Sequence, residues 1–514
     1  MDYLDPDKKR QHTRRLFIGY GLVALAIGFG TIILALLAFG YTFDRRTGGV
    51  IQNGLIFVNM APVTADVYID DELRGRGSQR LVLPAGEYNI EIREAGYRTW
   101  QRQVDLRGGS VERFSYPFLF PEDIAESTYR RFDSLPDIFS VSPDRRWMII
   151  QEADDKSAFV KYDLREKVNL PSFFSLPVGV MSTHDDGGAQ VSVVEWSNDN
   201  EHLIVRHQFG DQVEYILLNH SDPSESQNLT TRFSDVNFTD ISLIDKQHDQ
   251  YHLFDRTADL LLQAELGADV IEEVRDDVLT YRSHGPDALL YVTPTIDDID
   301  DVDTAVEASI ADDTSSDSVF LVMQENDRIA VLAELPADDR SEYLLDFARF
   351  SGDWYVAVSY APSERVYIYQ EPLSQVRLGS GVLRPEHVFR MNSPPDRISF
   401  SANARNIAIQ SVFAIAVYDI ERQSAYQFSM IDDEVDDIGR LQWMDGHRML
   451  LINSDMLHVS DFDGRNRHQL AACDSGASVV FDTAYDYFYC LSPTTENEPG
   501  SYALRRHQLL VDSE

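Results

Sequence analysis

Apolar residues are laid out along the chain in three regimes. From Leu16 to Tyr41 the run LFIGYGLVALAIGFGTIILALLAFGY carries no charge over 26 residues. That is enough to cross about 30 Å of hydrocarbon as a slightly tilted helix. From residue 54 onward, short stretches alternate instead: GLIFVNM, ADVYIDDELRG and LPAGEYNIEIREAGYRTW read as strands separated by turns. Tyr88, Ile90 and Ile92 share one face at period two, Pro84 fixes its own φ, and Gly86 offers a backbone conformation closed to bulkier residues. Beyond residue 138 the pattern becomes pairs of apolar strands around a polar turn.

This third regime is a repeat. FSVSPDRRWMIIQ begins at Phe139, VEWSNDNEHLIVRH at Val194, ARFSGDWYVAVSY at Ala348, ISFSANARNIAIQ at Ile398 and LQWMDGHRMLLIN at Leu441, with less regular cousins between them. The polar turns fall near 142, 197, 245, 283, 351, 401, 444 and 482, and a third strand often follows each pair. A three- or four-stranded sheet cannot bury both faces alone, so it stacks on its own copies, and radial closure protects the sheet edges. The expectation is an all-β body, a β-propeller of seven or eight blades over residues 138–514, with two stacked β-sandwiches as the competing architecture. Residues 121–137 read as a polar linker with a helical turn around EDIAESTYRRF. The pattern resembles the WD40-like and TolB-like propellers at the level of the fold, since a regular Trp-Asp ending is missing. Trp147, Trp196, Trp354 and Trp443 each lie near the first hairpin of a unit, suited to packing between blades or to stacking on a ligand.

The alternating region carries a second resemblance. VYIDDELRGRGS, LPAGEYNIEI and AGYRTW together resemble the PEGA domain family over residues 54–120. By that pattern Asp70 sits in the first turn, Pro84 and Gly86 precede the strand bearing Tyr88, and Gly96 and Tyr97 begin the last hairpin. The namesake tetrapeptide is absent, and Gln79 stands where the family often has proline. The resemblance implies a small all-β module of surface and membrane-anchored prokaryotic proteins, structural or adhesive and not catalytic.

Charge orders these parts. Lys8, Lys9, Arg10, Arg14 and Arg15 precede the apolar run, and Arg45 and Arg46 follow it. The basic excess predicts a cytoplasmic tail over 1–15, a membrane helix over 16–43 and a body outside the membrane. The whole chain has a formal charge of −40, which opposes binding to nucleic acid. Cys473 and Cys490 are the two cysteines, free to form one bridge in an oxidising compartment or to remain two buried thiols.

Candidate chemistry is sparse. The segment 295–318, TIDDIDDVDTAVEASIADDTSSDS, places nine acidic side chains in 24 positions and reads as an insertion projecting from one blade. It is a solvated loop, a landing strip for a basic partner, or a calcium site built from Asp297, Asp298, Asp300, Asp301 and Asp303, though without an EF-hand glycine. HExxH, GxSxG, CxxC and phosphate-loop signatures are missing. His202, His252 and His284 lie near second strands of three units and could be structural groups or a ligand set. The functional expectation is a membrane-tethered extracytoplasmic binding or scaffolding protein of the cell envelope, with a protein or glycan partner. The alternative is an envelope glycan or peptide hydrolase or lyase, with carboxylates or histidines gathered in the propeller funnel.

Overall fold

The computed structural model describes residues 6–38, 40–43, 49–152, 155–166, 170–183, 188–268, 270–296, 303–304, 318–337, 342–377, 383–429, 439–494 and 500–511. The first element is a helix, Pro6–Ala38, whose apolar stretch His12–Ala38 has a mean hydropathy of 2.5 and no protein cover. The helix stops short of the residue-43 limit read from hydropathy. Gly40 adopts φ +77°, its N–H closes on the Leu37 carbonyl, and Tyr41–Phe43 leaves as a strand paired with Val50–Gln52. Hydropathy reports side chains and is blind to this change of backbone partner.

The chain divides into two compact units, 1–123 with 510–514, and 124–509. Apart from the helix, the first unit is a pair of four-stranded sheets. One joins Tyr41–Phe43, Val50–Val58, Gln79–Pro84 and Val111–Phe114; the other orders Glu72–Arg76, Asp66–Ile69, Gly86–Arg93 and Trp100–Leu106. In Trp100–Leu106 every second residue is buried, which places Trp100, Arg102, Val104 and Leu106 inside. Asp70 and Asp71 both take positive φ, 50° and 64°, and make the tight reversal between Asp66–Ile69 and Glu72–Arg76. Ile90 and Ile92 are buried as their period predicts; Tyr88 stays half-exposed and donates its hydroxyl to the Pro84 carbonyl. The end of the chain belongs to this unit too, with Val511 N donating to the Tyr97 hydroxyl. The small domain is therefore not contained in 54–120, nor the large one in 138–514.

Among the described residues the second unit holds eight sheets, which are the eight blades of a propeller. Seven are built from consecutive strands, and the first strands of blades two and three, four and five, and five and six lie against each other, which places them innermost. Blade four is enlarged by the two-residue strand Asp303–Thr304, which pairs parallel with Ala330 and Val331. Blade eight is composite. Val480–Phe481, Tyr487–Pro493 and Tyr502–Gln508 come from the end of the chain, and its outer strand is Glu126–Phe132. The expected linker at 121–137 is thus the clasp of the ring. Its seven residues have only Phe132 buried, so the pattern looks like polar connector while the backbone pairs with a strand some 370 residues later.

The core lies in seams between blades. One cluster joins Leu290, Leu321 and Leu335 of blade four to Phe347, Trp354 and Val356 of blade five; others join blades one with two, two with three, three with four, five with six, and eight with one. The predicted turns recur because each is the reversal between first and second strands. Ser142 donates to Asp144 and accepts from Trp147 N; Ser401, Asn403 and Asn406 repeat this in blade six. A short polar side chain there satisfies turn N–H groups that no strand reaches.

Candidate functional site

The first strands carry a two-way fastening. In blade two, Trp196 donates its indole N–H back to Ser140 of blade one (2.9 Å), and its neighbour Glu195 accepts from Leu243 N of blade three (2.9 Å). In blade seven, Trp443 donates back to Ser399 of blade six (3.3 Å), while Gln442 exchanges two bonds with Val479 ahead of blade eight. Adjacent residues of a strand point to opposite sides, so a Trp paired with Glu or Gln reaches both neighbours. Trp354 donates to Glu325 of blade four (3.0 Å) from the second strand of blade five. Trp147 is half-buried, with the Arg146 guanidinium 4.3 Å from its ring centre. Three of the four tryptophans are therefore seam residues with hydrogen-bonded indoles.

Two clefts open on these strands. The first, about 430 Å³, is lined by Asp240, Ser242, Arg256, Tyr281, Arg282 and His284 of blades three and four, with Glu195 of blade two. Arg256 pairs with Asp240 at 2.5 Å, and the Ser242 and Tyr281 hydroxyls lie 2.9 Å apart. Burial pushes the Glu195 carboxyl above its ordinary range, against the opposing effects of the Leu243 N–H and Lys246. Asp346, on the first strand of blade five, rises to about 6 by burial, against bonds from Phe400 and Phe347 N–H and the charge of Arg282. Both carboxylates are tied to backbone donors, so their lone pairs are engaged in joining blades.

The second cleft, about 530 Å³, is lined by Arg397, Ser399 and Phe400 of blade six, Arg440 to Trp443 at blade seven, and 475–479 leading into blade eight. Among the described residues no Asp or Glu lines it, against a chain charge of −40. Arg397 keeps a buried Nε without a hydrogen-bond partner among the described residues.

The predicted histidines separate. His252 is buried edge-on to Tyr281 (5.7 Å), and burial lowers its pKa to about 4; His284 stands edge-on to Trp354 (5.3 Å). His202 meets neither. It stacks on His248, with Asp199 between the two in hydrogen-bonding terms, a grouping that reading the sequence missed. His202 opens the second strand of blade two and His248 lies in the turn of blade three, so only the docking of the two blades brings them together. The strongest buried carboxylate is also unpredicted: Glu214 is held to about 2, burial opposing but outweighed by His207, Ser182 and Asn228. It fastens the 182 loop and the outer strand of its blade. Cys473 and Cys490 form a disulfide, Cα atoms 5.7 Å apart, that joins the end of blade seven to the second strand of blade eight. Asp297, Asp298, Asp300 and Asp301 lie outside the described residues, and of Asp303 only the backbone strand is described.

Residues 53–119 match the PEGA domain family model. No curated protein matches the chain in sequence. Solved structures similar to it include the β-propeller domain of Cps50 (Swd1) from Myceliophteria thermophila, 10% identical, covering 75% of this chain and 100% of that one at a TM-score of 0.38. Dihydro-heme d1 dehydrogenase NirN in complex with DHE is 13% identical, covering 80% and 74% at 0.40. An oligogalacturonate lyase in complex with manganese is 11% identical, covering 75% and 96% at 0.37.

Proposed function

We propose that this chain is a membrane-tethered, extracytoplasmic binding or scaffolding protein of the cell envelope, anchored by one helix with its N-terminus inside. The observation that carries the reading is the uncovered apolar helix His12–Ala38, long enough to cross a bilayer, directly ahead of a PEGA domain. The basic residues before the helix favour this orientation. The Cys473–Cys490 bridge supports an oxidising compartment for the ring.

The partner is a protein or an envelope glycan, and the cleft at Arg397 and Arg440 suits a carboxylate group on it, because a guanidinium fork donates paired hydrogen bonds to carboxylate oxygens. Glu195 and Asp346 hold neighbouring blades together, which favours binding over hydrolysis or lyase chemistry in the funnel.

The test is protease treatment of intact cells or spheroplasts. Digestion of the body with the tail protected is expected; full protection beside accessible controls would reject the reading. Purified protein turning over envelope polysaccharide or peptide would replace binding with catalysis.

A further inference from the structure

Asp199, His202 and His248 converge at the reversals of blades two and three. Their three ligand atoms, one from each residue, all lie within 4.8 Å of one another. Asp199 Oδ2 is 2.7 Å from His202 Nδ1 and 3.1 Å from His248 Nδ1. The two imidazole rings stack with centroids 4.1 Å apart and planes 9° from parallel. The other carboxylate oxygen, Oδ1, accepts from Glu201 N (2.8 Å) and His202 N (3.0 Å), which fixes the carboxylate and aims Oδ2 at the histidines. Orientation of a ligand by hydrogen bonds on its far side is how metal sites hold their donors.

The two turns are already docked on each other. Ser197 Oγ donates to the Lys246 carbonyl (3.0 Å), Asn198 N donates to the same carbonyl (2.9 Å), and Asn198 Nδ2 donates to the Asp245 carbonyl (3.0 Å). His248 therefore reaches Asp199 from a backbone held in place. As it stands, one carboxylate oxygen serves two ring nitrogens, and two imidazoles press face to face. A single cation at Asp199 Oδ2 is reached by both ring nitrogens once one imidazole turns out of the stack, because each nitrogen's lone pair lies in its own ring plane. Ligands about 2.0–2.2 Å from zinc sit about 3–3.5 Å from each other, near the two Asp199–histidine distances, while the two ring nitrogens lie within 4.8 Å of each other.

We propose that Asp199, His202 and His248 bind one divalent transition-metal ion, of the zinc, cobalt or nickel kind. Two imidazole nitrogens and one carboxylate oxygen suit these metals and not calcium or magnesium, which take oxygen ligands. The His248 and Asp199 side chains are 41% and 31% exposed, so solvent completes the coordination. The ion ties blade two to blade three at one rim of the ring, beside the first cleft, whose lining includes Asn198, Asp245 and Lys246.

The test is titration of the full chain in detergent, purified without a polyhistidine tag and stripped by chelator, with Co²⁺ followed by visible absorption and competed by Zn²⁺. One equivalent should bind, with zinc displacing cobalt. His248→Ala and Asp199→Asn should each weaken binding about 100-fold or more while the stripped variants keep the far-ultraviolet spectrum of the parent. Saturating Zn²⁺ should raise the melting temperature of the parent ring and leave that of His248→Ala unmoved. No stoichiometric binding by the folded parent, or equal binding by folded His248→Ala, would overturn the assignment. If either variant fails to fold, the parent titration alone decides.

Discussion

The small sandwich and the ring solve the same problem, burying β-sheet faces, in opposite ways. The sandwich gathers its large side chains at one place: Trp100 is 1% exposed, edge-on to Tyr116 at 6.0 Å and tilted against Phe114 at 6.1 Å, with Arg102 donating to the Tyr116 hydroxyl beside them. Among the described residues the ring shows no central core. Its apolar residues are divided among seams, each shared by two blades. A single core is lost all at once, whereas a divided one is damaged locally and depends on each joint. This is why the ring adds fasteners at its joints: indole bonds, carboxylate-to-backbone bonds and one disulfide.

The comparison is broken most severely by truncating one tryptophan in each unit. Trp100→Ala and Trp354→Ala should each remove about 3–5 kcal/mol. For the small unit that approaches the whole margin of a domain of this size, so its transition should vanish at ambient temperature. Trp354→Ala should leave the ring folded but melting lower. Calorimetry with limited proteolysis of each variant checks both, and a common transition for the two units would refute their independence.

A smaller effect should follow from opening the covalent joint. The bridge closes a loop of 17 residues, and the Cys473→Ser/Cys490→Ser pair should cost the ring about 3 kcal/mol. Reductant should lower the ring's melting temperature and leave the sandwich transition where it was.

Acid gives the finest discrimination. Burial lowers His252, His447 and His507 to about 4. The unfolded chain takes these protons near pH 6.5 and the folded ring resists until about 4, so this contribution to stability falls as pH drops through that window. Glu214, held at about 2, adds a loss between about 4.5 and 2. Asp346 and Asp482, raised to about 6, act the other way: the folded ring binds their protons first and gains stability between about 6 and 3.8. His252→Phe should therefore flatten the decline of ring stability from pH 6.5 to 4 measured by denaturant titration, while the sandwich stays unaffected. An unchanged slope would show that His252 does not carry this linkage.

What was legible in the chain follows the same division. Strand-turn-strand recurrence exposed the ring as seven or eight blades, because several reversals use a short polar residue to cap turn N–H groups; Ser142 and Ser401 show the reason. The small domain was legible from Asp70 and Gly96, whose turns are local and whose φ is positive; Gly86, expected to need such a conformation, opens the strand Gly86–Arg93 without one. Contacts across blades were not. Glu126–Phe132 looked like linker because its partner is distant, and His202 was singled out without His248 because the ring, not the local spacing, brings them together. Glu195 and Gln442 looked like ordinary strand residues until the neighbouring backbone they hold was in view.

The composite last blade has a consequence for biosynthesis. Its outer strand, Glu126–Phe132, leaves the ribosome some 370 residues before the strand that receives it, Tyr502–Gln508. At about 5–20 residues per second, some 20 to 75 seconds separate the two. Throughout that interval the nascent body is an open arc with an unpaired edge at each end, and it must be kept from joining a second copy until its own tail arrives.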